Sequence, residues 1–109
     1  MTPAQIRKLT RAIETIDPAM NAHQLGILAY LYERFEEGDE LIPMAEAQKA
    51  TGLTKAGISR ICAYLSTRRQ SGSGGVGLIS RTENPIDNRQ KDISLTKRGR
   101  RLMETLLEI

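Results

Sequence analysis

Arg89 sits near the end of a polar octapeptide, Glu83-Asn84-Pro85-Ile86-Asp87-Asn88-Arg89-Gln90, with a stretch of strand length on either side, Leu78 to Glu83 and Lys91 to Thr96. In the second stretch Ile93 and Leu95 alternate with polar Asp92, Ser94 and Thr96, the period of a half-buried strand. Asn84-Pro85 and Asp87-Asn88 are turn formers, because Pro85 presets its own φ and the Asx side chains bond nearby backbone. The segment therefore predicts a hairpin whose tip carries Arg89 and whose strands carry Arg81 and Lys91. Two readings stand at this point. One is a basic arm that follows a phosphate backbone and inserts an arginine into a minor groove about 6 Å wide. The other is an ordinary solvated hairpin.

Other chemistries find less support in the residue pattern. His23 is the one histidine and Cys62 the one cysteine, so a metal site has no ligands to recruit, and no disulfide forms within the chain. The acidic run Glu33, Glu36, Glu37, Asp39 and Glu40 lacks the alternating ligand spacing and turn glycine of a calcium loop and reads as a solvated helix end. Gly72, Gly74 and Gly77 match GxGxxG, but a dinucleotide loop follows a strand and opens a helix, whereas this one follows a helix and opens a strand. With no nucleophile–base pair and no phosphate loop, the expectation is a protein that is not an enzyme and holds no cofactor.

The charge is sorted along the chain. Of 109 residues, 39% are hydrophobic and 27% charged, the composition of an ordinary globular domain, and the net charge is only +3. Residues 54–101, however, carry eleven Lys/Arg against three carboxylates, a net +8, and the remainder is acidic. Such segregation makes the second half a candidate for a polyanion. No apolar run approaches the roughly 20 residues that span a bilayer, and Met1-Thr2-Pro3 opens no signal peptide, so a cytoplasmic protein without a membrane partner is expected.

The elements that would position the basic groups follow from periodicity. Thr2-Pro3 caps a first helix, residues 2–16, with Ile6, Leu9, Ile13 and Ile16 as a narrow apolar stripe. Asn21 caps a second with a broader apolar set, Leu25, Ile27, Leu28, Leu31, Tyr32 and Phe35, suited to a central position. Pro43 opens a short helix that Thr51-Gly52 ends, and Thr54 caps a longer one reaching to about Arg69. Two helices joined by a glycine-containing turn form a helix-turn-helix. In the second of them Ile58, Ile61, Cys62 and Leu65 define a buried face, leaving Ala56, Arg60, Ala63 and Thr67 outward with Gly57, Ser59 and Tyr64 flanking. Small Ala56 and Gly57 permit close approach to a major groove, while Lys55, Ser59 and Arg60 offer hydrogen-bonding heads, Arg60 to a base edge. Cys62 on the inner face reads as a small core residue. Residues 70–77 form a Gly/Ser-rich loop in which Ser71 and Ser73 are placed to touch phosphate. The hairpin covers 78–96, and 97–108 a last helix with Leu102, Met103, Leu106 and Leu107 on one side. Lys97, Arg98, Arg100 and Arg101 crowd its first turn against the helix dipole, a placement that nearby DNA would explain.

Gly77-Leu78-Ile79-Ser80-Arg81, Asp87-Asn88-Arg89 and Leu95-Thr96-Lys97-Arg98-Gly99, in this order and spacing, resemble the wing of the MarR family of bacterial transcription regulators. The resemblance covers residues 22–103, with 70–76 as an insertion and the terminal helices abbreviated. It implies a single domain, mainly α with a small β-hairpin, in a winged helix-turn-helix. It further implies that Arg89 enters the minor groove with Asp87 orienting it, and that the recognition helix begins at Thr54.

Together these readings give a sequence-specific regulator of double-stranded DNA, whose contacts come from Thr54, Lys55, Ala56, Gly57, Ser59, Arg60, Tyr64, Arg81, Asp87, Asn88, Arg89 and Lys91. The alternative is a winged-helix module whose basic face meets an acidic surface of a polymerase or another regulator. The apolar stripes at the two ends predict a homodimer built from both termini, or else terminal helices that pack on each other within one chain.

Overall fold

The computed structural model describes residues 1–66, 76–83, 86 and 90–109. Among them five helices and three strands follow in the order α1 (Pro3–Ile16), α2 (Ala22–Glu36), β1 (Ile42–Pro43), α3 (Met44–Thr51), α4 (Lys55–Leu65), β2 (Ile79–Glu83), β3 (Lys91–Leu95) and α5 (Lys97–Leu107).

Side-chain caps set most of the helix starts. Thr2 and Gln5 form a reciprocal capping box at α1, with Pro3 in the first turn, and Asn21 and Gln24 form another at α2. Thr54 and Thr96 cap α4 and α5 by accepting the N–H groups of Gly57 and Gly99. Between α3 and α4 the chain turns at Gly52, whose φ of 71° is open to glycine at little cost, and the two helices form the expected helix-turn-helix.

The core is aliphatic. Ile27, Leu28 and Leu31 of α2 are at most 2% exposed, and they meet Ile42, Ala47, Ile58, Cys62, Leu65, Ile79, Ile93 and the α5 residues Leu102, Met103 and Leu106. The expected central role of α2 is the observed one.

The sheet differs from a plain hairpin. The strand order is β1-β3-β2, all antiparallel, with Ile42 opposite Ile93 and Pro43 opposite Asp92. Periodicity gave no hint of β1, which is two residues long and contains a proline, tolerated because the strand lies at an edge. β3 is consequently central. Asp92, expected to face solvent as the polar member of an alternating strand, is 8% exposed between Pro43 and Thr82, and its Oδ1 has no hydrogen-bond partner.

Helix α4 is shorter than expected. Ser66 is extended, with ψ 173°, so the helix stops at Leu65 rather than continuing to Arg69, and residues 67–69 lie outside the described set. The reason is competition for backbone groups: Leu78 N–H donates to Leu65 O at 2.8 Å, Gly77 N–H to Ser66 O at 3.1 Å, and Ser66 pairs in parallel with Ile79. The end of α4 is thus taken up by the chain entering β2, which ties α4 to the hairpin.

The same chain entry fixes α5. Thr96 N–H donates to Leu78 O at 3.0 Å, and the Thr96 hydroxyl donates to Gly77 O at 2.7 Å while accepting from Gly99. A Cβ built on Gly99 would overlap the Leu78 carbonyl oxygen and lie 3.1 Å from Leu95 Cδ2. Helix and strand approach so closely that only hydrogen fits. The arrangement is a winged helix-turn-helix with the three-stranded sheet as the root of the wing.

Gly99→Ala should therefore lower stability by about 3 kcal/mol through overpacking against backbone that cannot yield. Gly26→Ala, at an exposed α2 position with open space around it, should raise stability by about 0.5–1 kcal/mol from helix propensity alone. Urea unfolding of the two variants beside wild type checks the opposite signs, and equal small effects would refute the packing account.

Candidate nucleic-acid interface

Burial of Ile58, Cys62 and Leu65 fixes the roll of α4 about its axis. That roll leaves Lys55, Ala56, Ser59 and Arg60 exposed and Gly57, Ala63 and Tyr64 half-buried beside them. Thr54, also exposed, stands at the helix entrance, its hydroxyl occupied by Gly57 N–H at 2.9 Å.

Two open grooves flank the helix. The first, about 310 Å³, brings Lys55 and Ser59 together with Gln48 of α3 and with Gln90 and Lys91 at the base of the hairpin. The second, about 340 Å³, lies on the other flank, where Gly57, Arg60 and Ile61 meet Asn21, His23 and Gln24 at the start of α2. The candidate contacts of α4 are thereby divided: Lys55 and Ser59 look toward the wing, and Arg60 toward α2.

On the hairpin, Lys91 Nζ lies 3.1 Å from Glu83 Oε1 of its cross-strand partner. Both side chains are largely solvated, so the pair is weak and leaves the amine accessible. Arg81 is half-buried and near Cys62. Burial pushes the Cys62 thiol up to about 11, against a smaller opposite pull from the Arg81 charge. The thiol stays protonated in the core, in keeping with its reading as a small packing residue and not a redox switch. Asp87, Asn88 and Arg89, the expected wing tip, lie outside the described residues, as do Ser71 and Ser73.

Tyr64 is engaged within the protein. Its hydroxyl donates to Asp17 Oδ2 in the turn between α1 and α2, and Asp17 Oδ1 accepts the Ala19 N–H at 2.8 Å. The bond ties the last turn of α4 to the exit of α1.

The basic quartet of α5 also divides. Lys97, Arg98 and Arg101 are exposed. Arg100 instead stacks its guanidinium over Phe35, 5.1 Å from the ring centroid, and donates to Leu95 O at 3.3 Å. For this side chain, cation–π packing on α2 replaces the expected proximity to DNA.

The acidic run behaves as a solvated helix end, but with an organiser that spacing did not reveal. Arg34 reaches Asp39 at 3.0 Å, Glu46 at 3.0 Å and Glu37 at 3.8 Å, and donates to Tyr30 Oη at 2.8 Å. Its partners come from α2, α3 and the loop between them, too dispersed in sequence to suggest one hub. His23 is exposed in the first turn of α2, and among the described residues no cluster of His, Cys, Asp or Glu could hold a metal ion. Among them, too, no helix is long and apolar enough to cross a membrane.

No known family's sequence pattern matches the chain, and no curated protein matches it. Solved structures do. A mutant of MepR from a multidrug-resistant S. aureus clinical isolate is 24% identical, with a TM-score of 0.74 over 96% of this chain and 66% of that one. S. aureus MepR in complex with DNA is 22% identical, with a TM-score of 0.74 over 96% and 75%. Reduced AbfR bound to DNA is 17% identical, with a TM-score of 0.70 over 92% and 59%. At these identities the likeness establishes a shared fold, and the chain spans between 59% and 75% of the length of these neighbours.

The Tyr64–Asp17 bond should couple α4 to α1. Tyr64→Phe and Asp17→Ala are each expected to lower stability, with a coupling of about 1 kcal/mol in a double-mutant cycle followed by urea unfolding. Additive losses would show that the two side chains stabilise the fold independently.

Proposed function

We propose that the chain is a DNA-binding transcription regulator of the MarR type that recognises a specific double-stranded sequence. The observation that carries this reading is the exposed edge of α4, with Lys55, Ala56, Ser59 and Arg60 facing solvent between two open grooves, beside the root of a basic hairpin. Two proteins that share the fold, MepR and AbfR, have been solved with DNA bound.

In this reading α4 enters the major groove. Ala56 and Gly57 allow close approach, Thr54 fixes the helix start, and Lys55 and Ser59 donate to base edges and phosphates. Arg81 and Lys91 lie along the wing, and of the residues outside the described set Arg89 is proposed for the minor groove with Asp87 orienting it and Asn88 as a further contact. Tyr64 acts behind this surface, holding the far end of α4 through Asp17.

A homodimer completes the reading. Leu102, Met103 and Leu106, expected to meet a second chain, are 7%, 5% and 5% exposed within the one chain, so α5 uses most of its stripe on its own core. What remains for a partner is α1, which has no fully buried residue, with Ile6 51% exposed, and Leu107 of α5, 64% exposed. A two-fold pair would set its recognition helices about 34 Å apart and bind a pseudo-palindrome.

Binding to duplex DNA should weaken with salt, with a log–log slope of about −0.9 per phosphate neutralised, and Arg89→Ala should cost roughly 1–2 kcal/mol of affinity with the melting temperature unchanged. Titrations of a labelled duplex at several salt concentrations check both. A chain that ignores DNA and binds an acidic protein instead would replace this reading with that of a protein-contact module.

Ile6→Glu should convert a dimer to a monomer in sedimentation at tens of micromolar protein while the winged core stays folded, since a buried unpaired carboxylate cannot be accommodated at an apolar interface. Wild type that sediments as a monomer would sink the dimer.

A further inference from the structure

The groove between the start of α2 and α4 is lined by donors. In the α2 capping box Asn21 Oδ1 accepts from Gln24 N–H at 3.0 Å and Gln24 Oε1 accepts from Asn21 N–H at 2.8 Å. Both carboxamide oxygens are thus committed to the backbone, so each side chain has its NH2 group left to offer a ligand. His23 and Arg60 are exposed in the same groove, and among the described residues neither makes an ion pair or hydrogen bond. Among the described residues, no carboxylate lines it. A guanidinium, an imidazole and two amide NH2 groups along one groove form a surface suited to an anion.

We propose that this groove receives a backbone phosphate of the bound duplex, with Arg60 as its charged clamp and His23, Asn21 and Gln24 as further donors. The inference rests on the reading of α4 as the helix in the major groove. A helix lying there has its flanks toward the two strands that border the groove, and the α2 flank of α4 is the one that carries Arg60. Lys55 and Ser59 lie on the opposite flank, and Ala56 on the crest between them. Arg60, placed by periodicity among the readers of base edges, becomes a positioning contact that carries no sequence information. Sequence discrimination falls to Ala56, Ser59 and Lys55.

The test compares a random-sequence duplex with the best-bound duplex selected from a random pool, each titrated with the full chain at several salt concentrations. Arg60→Gln should lower affinity by about tenfold on both duplexes and reduce the magnitude of the salt slope by about 0.9, the signature of one lost phosphate. His23→Ala should lower affinity by about threefold on both, as loss of one hydrogen-bond donor. Arg60→Lys should keep the slope, because an ammonium still neutralises a phosphate although it cannot reproduce a bidentate base contact. Lys8→Gln, on the exposed face of α1, serves as the control and should change nothing. If Arg60→Gln weakens only the selected duplex and leaves the slope intact, Arg60 reads a base and the inference is overturned. Wild-type affinity in both Arg60→Gln and His23→Ala would show that the groove does not touch DNA and overturns it as well. Failure of the wild type to bind any duplex defeats the underlying DNA-binding reading itself, and this inference with it.

Discussion

The backbone of Leu78 joins three parts of the molecule at one residue. Its N–H closes on Leu65 O at the end of α4, its carbonyl accepts from Thr96 N–H at the end of β3, and that carbonyl lies against Gly99 in the first turn of α5. Helix α4, the wing and the last helix are thus referenced to a single, 0% exposed residue. Because buried backbone groups must be paired, none of these junctions can shift without orphaning a donor or an acceptor. The geometry of a site assembled from α4 and the wing depends on that constraint more than on any contact between their exposed side chains.

The residues of this junction are also those that were most legible in the sequence. Gly77, Leu78, Leu95, Thr96 and Gly99 stand out as a spaced pattern, and each has its own physical role in the fold. In that order they supply an accepting carbonyl, a double hydrogen-bonding node, a core side chain, a hydroxyl that donates and accepts, and a position without Cβ. Capping residues Thr2, Asn21, Thr54 and Thr96 were legible for a similar reason, since a cap acts within three residues of itself. Features set by partners distant in sequence were not. β1 exists because Ile42 pairs with Ile93, and nothing within a two-residue strand announces that pairing. The burial of Asp92 follows from β1, and the stop of α4 from residues 76–79. Arg34 and Arg100 look alike as cations on helices, yet one gathers carboxylates from the loop after α2 and from α3, and the other lies on an aromatic ring.

The candidate site shows the same division. Helical period identified the outward residues of α4 because the buried face sets the roll. It did not show that the flanks of α4 differ, with the wing root on one side and the start of α2 on the other. That distinction arises from helix packing and separates side chains only one residue apart, Ser59 and Arg60, into different surroundings. Sorted charge in the sequence acquires spatial meaning here: Arg60, His23, Asn21 and Gln24 line one groove, while Arg34 pairs with Glu37, Asp39 and Glu46 at the acidic end of α2.

Helix α1 is anchored lightly. Its holds are a capping box, a half-covered stripe, the Gln5 Nε2 donation to Ile109 O at 3.0 Å and the turn that Tyr64 grips through Asp17. Elements with so little buried area open at a small fraction of the global unfolding cost, so amide exchange along α1 would be fast compared with α2. Anything that covers the stripe adds its binding free energy to the stability of this helix by mass action. In the homodimer proposed above, that cover would be a second copy of the chain, so the fraction of chains with α1 closed would rise with protein concentration.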